Sequence, residues 1–277
     1  MSYSNPQISI IIVNFNGLQF LKNCLDSIEK TLINVSYEII LVDNASTDGS
    51  VNFINQYYLS KITLIKSEEN LGFGKGNNLG VRSAKGEFLL LLNNDTILHS
   101  DLDVVLQKFV DKKVGAVGIK MLGKNGEYRL SAGYFPSVLR LLRLKSLYKT
   151  DQGFNNALFK KDLYEVDWIE ASFLLVRRKT WDHILGFDED YFMYVEDIDI
   201  CKKIKNKGFK ILYLTQFNFT HYGGYSESRE HLLKQGLLLY VKKHFGLFSK
   251  NLAQLSIFLN FSVKSIKNQI KKRTQKV

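Results

Sequence analysis

The sequence predicts an α/β fold: a mostly parallel sheet flanked by helices, followed by a C-terminal helical extension. Three observations predict it. Apolar runs and helical patterns alternate through roughly the first hundred residues. Phe88 to Leu92 is apolar at every position, as a strand covered on both faces must be. Most polar oddities fall at the carboxyl ends of those runs, the edge at which such sheets bind ligands. The 277 residues, 45% of them apolar, suffice for one large α/β domain, and a charged content of 23% excludes broad disorder.

Taken in order, "ISIIIVNF" (8–15) reads as a β-branched buried strand, and "LQFLKNCLDSIEK" follows with Leu18, Leu21, Leu25 and Ile28 at helical spacing. "YEIILVDN" is a second strand. Ser46 and Asp48 then stand as cap-type residues ahead of a helical pattern through "STDGSVNFINQYY". "ITLIKS" is a third strand, "GNNLGVRSA" a short helix and "EFLLLLNND" a fourth strand. Strands alternating with helices imply parallel βαβ units with right-handed crossovers.

The pattern changes after Asp101. "VGAVGIKML" reads as a strand, and "KNGE" carries an Asn-Gly hairpin signal. Residues 135 to 165 have weak periodicity and read as a long, partly mobile loop. "ASFLLVRR" returns as a strand, "EDIDICKKIKNKG" as a helix closing at Gly208, and "FKILYL" as another strand. A helical pattern runs from Ser228 to His244, and an apolar, then basic, stretch ends the chain. The expected organisation is one domain over 1–227, with a ligand-binding half over about 1–100 and a second half over about 101–227. A helical, basic extension covers 228–277.

Several residues are candidates for chemistry. Asn14, Asn16, Asp43, Asn44 and the run Asn93 to Asp95 all fall at strand ends. Asp43 there can accept from a base or ribose hydroxyl, or serve as a turn residue. Asp95 has no basic neighbour in sequence; a carboxylate at a buried strand end needs a cation or hydrogen bonds. A divalent ion completed by substrate phosphates would satisfy it. The glycine-rich "NLGFGKGNNLG" would permit close approach of phosphate to backbone, or be a flexible surface loop. It is a poor match to the dinucleotide fingerprint. In "GFDEDYFMYVEDIDIC" six acids interleave with aromatics; a desolvated carboxylate there can serve as a general base, and an acidic, solvated helix start is the alternative. His221, beside glycines, reads by itself as a structural histidine.

Together these stretches resemble a family-2 inverting glycosyltransferase of GT-A fold, in its rhamnosyltransferase-like branch. The resemblance rests on "IIIVNFNG", "LVDNASTDGS", "NLGFGKGNNLG", "LLLLNNDT", "VDWIEASFLLVRRKTW", "GFDEDYFMYVEDIDIC" and "HYGGYS", in that order, over about residues 8 to 226. It implies a nucleoside-diphosphate sugar donor, first dTDP-rhamnose, bound by Val13, Asn14, Asn16, Asp43, Asn44, Asn70, Gly72, Asn77, Asn94 and Asp95. Asp43 would meet the base, Asn14 and Asn16 the nucleoside, and Asn70, Gly72 and Asn77 the ribose and diphosphate. "NND" stands where many such enzymes carry D-x-D. Asp95 and His221 would hold a divalent metal, Mn2+ or Mg2+. Asp197 would deprotonate the acceptor hydroxyl and Glu196 position acceptor or base. Ala171-Ser172 departs from the usual Gly-Ala on the acceptor side. The Q-x-x-R-W pattern of processive synthases is absent, which implies one sugar per encounter.

The implied acceptor is a saccharide or lipid-linked saccharide in cell-surface polysaccharide assembly. A transferase using a UDP-sugar and a non-catalytic nucleotide-sugar-binding protein are the alternatives. The net charge of +11 is concentrated toward the C-terminus, where 264–277 holds six Lys or Arg and no acid. No nucleic-acid-binding motif accompanies it, so no nucleic-acid partner is expected. The apolar-basic stretch suits an anionic inner leaflet; a packed helix at a homodimer interface would also explain it. Two cysteines, Cys24 and Cys201, form no disulfide framework. With no secretory leader and no spanning stretch, the expected location is cytoplasmic, peripheral on the inner face of the plasma membrane.

Overall fold

A computed structural model describes the backbone of residues 5–223 and 230–274, and their side chains through residue 266. Its first part is the expected alternation: β1 (Ile8–Asn14), α1 (Leu18–Thr31), β2 (Tyr37–Asn44), α2 (Ser50–Tyr57), β3 (Ile62–Ser67), α3 (Gly72–Val81) and β4 (Phe88–Asn93). β5 (Thr96–Leu98), α4 (Asp103–Leu106), β6 (Val114–Leu122), β7 (Tyr128–Arg129), β8 (Ala132–Gly133) and α5 (Val138–Leu142) follow. Then come β9 (Leu163–Glu165), β10 (Trp168–Ile169), β11 (Phe173–Arg177), α6 (Arg178–Ile184), α7 (Glu196–Asn206), β12 (Lys210–His221), α8 (Glu230–His244) and α9 (Leu247–Thr274).

Among the described residues the main sheet runs β3-β2-β1-β4-β11-β6-β12-β5, with β7 on β6 and β9 on β12; β8 and β10 pair separately. β3, β2, β1 and β4 are mutually parallel, as are β6 and β12, while β11 runs antiparallel to both its neighbours. The strand order reverses beside β1, which pairs with β2 on one edge and β4 on the other. A crevice opens at such a switch point, outside the carboxyl ends of the strands.

Both faces of the sheet are covered. Ile10 and Ile12 of β1 and Leu90 and Leu92 of β4 pack with Leu21, Leu25 and Ile28 of α1. The alternate residues Ile11, Leu89 and Leu91 join Leu174, Val176 and Ile204 on the other face. Each fully buried Leu or Ile stabilises the fold by about 1.5–3 kcal/mol. α8 and α9 add Leu237, Tyr240, Val241, Ala253, Ile257 and Phe261 to that second cluster, so they share the core of the sheet. The expected boundary at 227/228 lies outside the described residues.

Two expectations are corrected. The helix expected from Gly76 begins at Gly72, so the glycine-rich stretch is largely helix rather than loop. Its glycines let α3 lie flush on the sheet: a Cβ on Gly80 would stand 2.6 Å from Ile11 Cγ2 and one on Gly76 2.9 Å from Val13 Cγ1. Residues 135–165 are not a mobile loop. They hold α5, a short 3-10 turn and β9, and the fully buried Phe154 packs edge-on against Phe159 and Tyr164 with centroids 5.0 and 4.8 Å away. Aromatic packing, which carries no periodic signature, orders this segment. The Asn-Gly hairpin is observed, with Gly126 at φ +80° and Leu122 opposite Tyr128.

Candidate active site

The crevice beside β1 is floored by amide side chains. Asn14, fully buried at the end of β1, donates to Asp43 Oδ1 at 3.1 Å and Ser46 Oγ at 3.0 Å, and accepts from Asn94 Nδ2 at 2.7 Å. Asp43 Oδ2 accepts from the Ser46 amide at 3.0 Å, so the carboxylate closes its own turn. Asn16, at φ +51°, accepts from the Thr47 amide at 2.8 Å. Val13 lies between Val42 and Asn93 in the sheet.

A second group sits at the start of α3. Asn44 donates to Gly72 O at 3.0 Å, and Asn70 Oδ1 accepts from the Gly72 amide at 3.0 Å. Asn44 Oδ1 is buried with no protein partner; an orphan acceptor at this edge suits a ligand donor. Asn77 is placed differently. It is buried in α3 and donates to Phe73 O of its own helix at 3.0 Å.

Asp95 follows β4, and β12 brings His221 against it: Nε2 stands 3.2 Å from Asp95 Oδ1, and Asn93 Nδ2 is 3.2 Å from the same nitrogen. Burial works to raise the Asp95 carboxyl, but the His221 hydrogen bond and charge outweigh it and hold it below the usual carboxylate range. Burial likewise works to lower His221; Asp95 and Glu170 outweigh it and raise it to about 9. Arg129 pins the strand end by donating to Gly223 O at 2.6 Å and His221 O at 3.2 Å.

Glu196 and Asp197 open α7, and their environment is opposite in sign. Burial, then repulsion from Asp197, pushes Glu196 well above the ordinary carboxylate value, and its Oε2 is buried without a partner. Burial, then the Glu170 charge, raises Asp197 to about 7. Of the other acids in this cluster, Asp199 is committed to His244 at 2.6 Å, and Asp188 and Asp190 to Lys243 at 2.5 and 2.6 Å.

Glu170 is the residue that sequence reasoning missed. It follows β10, accepts from Ser172 Oγ at 3.3 Å, and its Oε1 stands 3.5 Å from His221 Nδ1. It therefore bears on both the Asp95–His221 pair and the Glu196–Asp197 pair. Its sequence signal was slight: an acid in "IEASFLLV", three residues before a buried strand.

A strand-order switch edged by amides, with one acid held low and another raised, suits a group-transfer enzyme that binds its ligand at that edge; likeness to known proteins makes it a glycosyltransferase of GT-A fold. Residues 9–168 match Glycosyl transferase family 2, and the chain belongs to that family as a nucleotide-sugar-dependent glycosyltransferase. It is 30% identical over 229 residues to the rhamnosyltransferase WbbL of Escherichia coli, covering 78% of this chain and 83% of that one. It is 26% identical over 211 residues to the N-acetylglucosaminyl-diphospho-decaprenol L-rhamnosyltransferase of Mycobacterium tuberculosis, covering 69% and 68%. In structure it resembles the mannosyltransferase PcManGT of Pyrobaculum calidifontis in complex with GDP-Man and Mn2+, with TM-score 0.61 at 16% identity over 93% of this chain and 70% of that one. Staphylococcus aureus TarS gives TM-score 0.57 at 17% identity, over 91% and 70%.

Mn2+ in such a neighbour makes the metal question concrete here. A Cβ on Gly223 would run into Asp95 Oδ2 and stand 3.4 Å from His221 Nε2, so the glycine keeps the space before both groups clear. A carboxylate with an imidazole is a donor set suited to Mn2+. The residues fit a divalent ion. Among the described residues no group of three or more His, Cys, Asp or Glu converges to hold one, so Asp95 and His221 would supply two ligands and the donor diphosphate and water the rest. No helix among the described residues is long and apolar enough to cross a membrane.

Proposed function

We propose that the protein transfers one sugar per encounter, with inversion, from a nucleoside-diphosphate sugar to a saccharide or lipid-linked acceptor in cell-surface polysaccharide assembly. dTDP-rhamnose is the first donor, from likeness to the two rhamnosyltransferases, and a diphospholipid-linked N-acetylglucosamine the first acceptor. One observation carries the reading: the environment lowers Asp95 and raises Asp197 to about 7. Titratable groups driven apart in this way divide the roles of anion partner and proton acceptor. Val13, Asn14, Asn16, Asp43, Asn44, Asn70, Gly72 and Asn94 cradle the donor; Asn77 acts by holding α3 in place. Asp95 and His221 would hold Mn2+ or Mg2+, and the ion would supply Lewis-acid stabilisation of the departing diphosphate. Asp197 takes the acceptor hydroxyl proton as the anomeric carbon is attacked from the opposite face and the nucleoside diphosphate departs, and Glu196, whose charged form burial disfavours, orients the acceptor. Residues 1–100 serve the donor, 101–227 the acceptor, and 228–277 form an extension to both.

The extension also gives the enzyme a face for an anionic membrane. α9 turns Ala253, Ser256, Ile257 and Phe261 inward and leaves Leu252, Leu255, Phe258, Leu259, Val263 and Ile266 outward. Exposed Leu139 and Leu142 of α5 lie beside it, where Asn260 donates to Leu142 O at 2.7 Å. Residues 231–277 carry ten Lys or Arg and no acid. An apolar stripe in a segment so rich in Lys and Arg suits anionic lipid, the surface on which a lipid-linked acceptor is held.

The test replaces Asp197 with Asn. Binding of dTDP with Mn2+ is expected to persist while rhamnosyl transfer to a synthetic N-acetylglucosaminyl diphospholipid is lost. Transfer at near wild-type rate would remove Asp197 from the role of base.

A further inference from the structure

Glu196 and Asp197 are presented by a loop in an unfavourable conformation. Tyr194 and Val195, immediately before them, have φ of +69° and +74°. Left-handed backbone is uncommon for any residue with a side chain and a true outlier for a β-branched one, so the surrounding structure must impose it.

α8 lies against this turn at its one interior glycine. A Cβ on Gly236 would stand 2.6 Å from Tyr194 O, 3.0 Å from Val195 Cγ2 and 3.1 Å from Val195 Cβ. Glycine is a poor choice in a helix interior, and here it lets the helix approach the turn closely. The end of α8 grips the flanks of the same segment. Lys243 Nζ reaches Asp188 Oδ2 at 2.5 Å and Asp190 Oδ2 at 2.6 Å, and His244 Nε2 reaches Asp199 Oδ1 at 2.6 Å. On its other side the loop is tied to the donor helix: the Phe73 amide donates to Phe192 O at 3.0 Å, and Phe187 exchanges hydrogen bonds with the Asn78 side chain at 3.0 and 3.1 Å.

We infer that Gly236 is a positioning residue for transfer: the close approach of α8 holds Tyr194 and Val195 left-handed and thereby sets Asp197 at the mouth of the crevice. The C-terminal extension is on this reading a wall of the catalytic centre. The inference rests on Asp197 being the base.

The experiment uses the full chain with dTDP-rhamnose, Mn2+ and the synthetic diphospholipid acceptor. Gly236→Ala is expected to lower kcat about tenfold or more, the scale of a small misplacement of a catalytic group, with donor KM and dTDP affinity unchanged. Hydrogen exchange at the Glu196–Ile198 amides is expected to quicken. Val195→Gly, which tolerates positive φ and removes the contacted side chain, is expected to restore part of the loss when combined with Gly236→Ala. Lys243→Met, which adds no bulk at the contact, is expected to lower kcat in the same direction without changing donor KM. Unchanged kcat and exchange in Gly236→Ala, alongside an inactive Asp197→Asn, would overturn the inference and leave the base intact. Loss of dTDP affinity in step with kcat would also overturn it, because that marks general damage. An active Asp197→Asn removes the base assignment whatever Gly236→Ala does.

Discussion

His221 Nε2 stands 3.2 Å from Asp95 Oδ1, joining the end of β12 to the turn after β4 across the mouth of the crevice. The pair is a strong buried contact in the protein alone and, with its proton released, a two-point seat for a cation. Asp95→Ala should therefore weaken binding of Mn2+ with dTDP by roughly ten- to a hundredfold, and His221→Ala comparably. Calorimetric titration of dTDP with and without Mn2+ checks this; metal-independent affinity should change little. Equal Mn2+ enhancement in wild type and Asp95→Ala would rule the seat out.

The pH dependence of transfer follows from Asp197. A general base must be ionised, and Asp197 is raised to about 7 by burial and by Glu170, so kcat/KM should fall on the acid side with a midpoint near that value. Removing the Glu170 charge favours the Asp197 anion. Glu170→Gln should accordingly move the acid limb to lower pH, and a full pH–rate profile of the two proteins decides it. A limb that stays in place would mean that Glu170 does not act on Asp197 in the working enzyme.

The same shift has a stability consequence with a definite sign. A carboxyl whose folded pKa is raised stabilises the fold below its ordinary value of 3.8, and that contribution is lost as pH rises through about 7. At pH 8 the native protein therefore holds a desolvated anion. Asp197→Asn should be more stable there by about 2 kcal/mol after allowance for solvent screening, raising Tm by roughly 3–6 °C. The difference should shrink toward pH 4. Thermal melts across that range give the answer, and a variant that gains stability while losing activity is the pattern of a site built for function.

Much of the fold was legible because apolar runs alternate with helical patterns, a signal that holds even for the partly exposed β3. "ITLIKS" begins and ends where β3 does, and "VGAVGIKML" where β6 does. α3 was harder, since its glycines read as loop until the strands beneath, Ile11 and Val13, are seen to need them. Asp95 was visible as an acid in want of a partner. Its partner lies at the far end of the domain and came only through resemblance, because pairing across a sheet leaves no local mark. Glu170 was passed over for the same reason: nothing beside it in sequence marks it as facing His221 and Asp197.

The segment 135–165 offers a packing test. Phe154 is fully buried among Phe159, Tyr164 and Tyr213. Phe154→Ala should cost about 3–5 kcal/mol, the range for a buried aromatic truncated in a packed core. Chemical denaturation measures it. A change below about 0.5 kcal/mol, the usual size of a surface effect, would return the segment to the status of a loop.

The outward stripe of α9 can be altered without touching the core. Leu255 and Leu259 are 53% and 44% exposed, while the inward residues Ala253 and Ile257 are fully buried. The double change Leu255→Glu and Leu259→Glu should leave the melting temperature nearly unchanged. It should abolish co-flotation with vesicles containing phosphatidylglycerol, because it removes apolar area and adds negative charge toward an anionic surface. Wild-type binding should weaken in phosphatidylcholine vesicles and at high salt, where surface attraction is screened. The competing occupant of the stripe is a second copy of the chain. If light scattering finds a wild-type dimer that the double change splits, while both forms partition equally onto vesicles, the stripe is a subunit contact and the membrane reading falls.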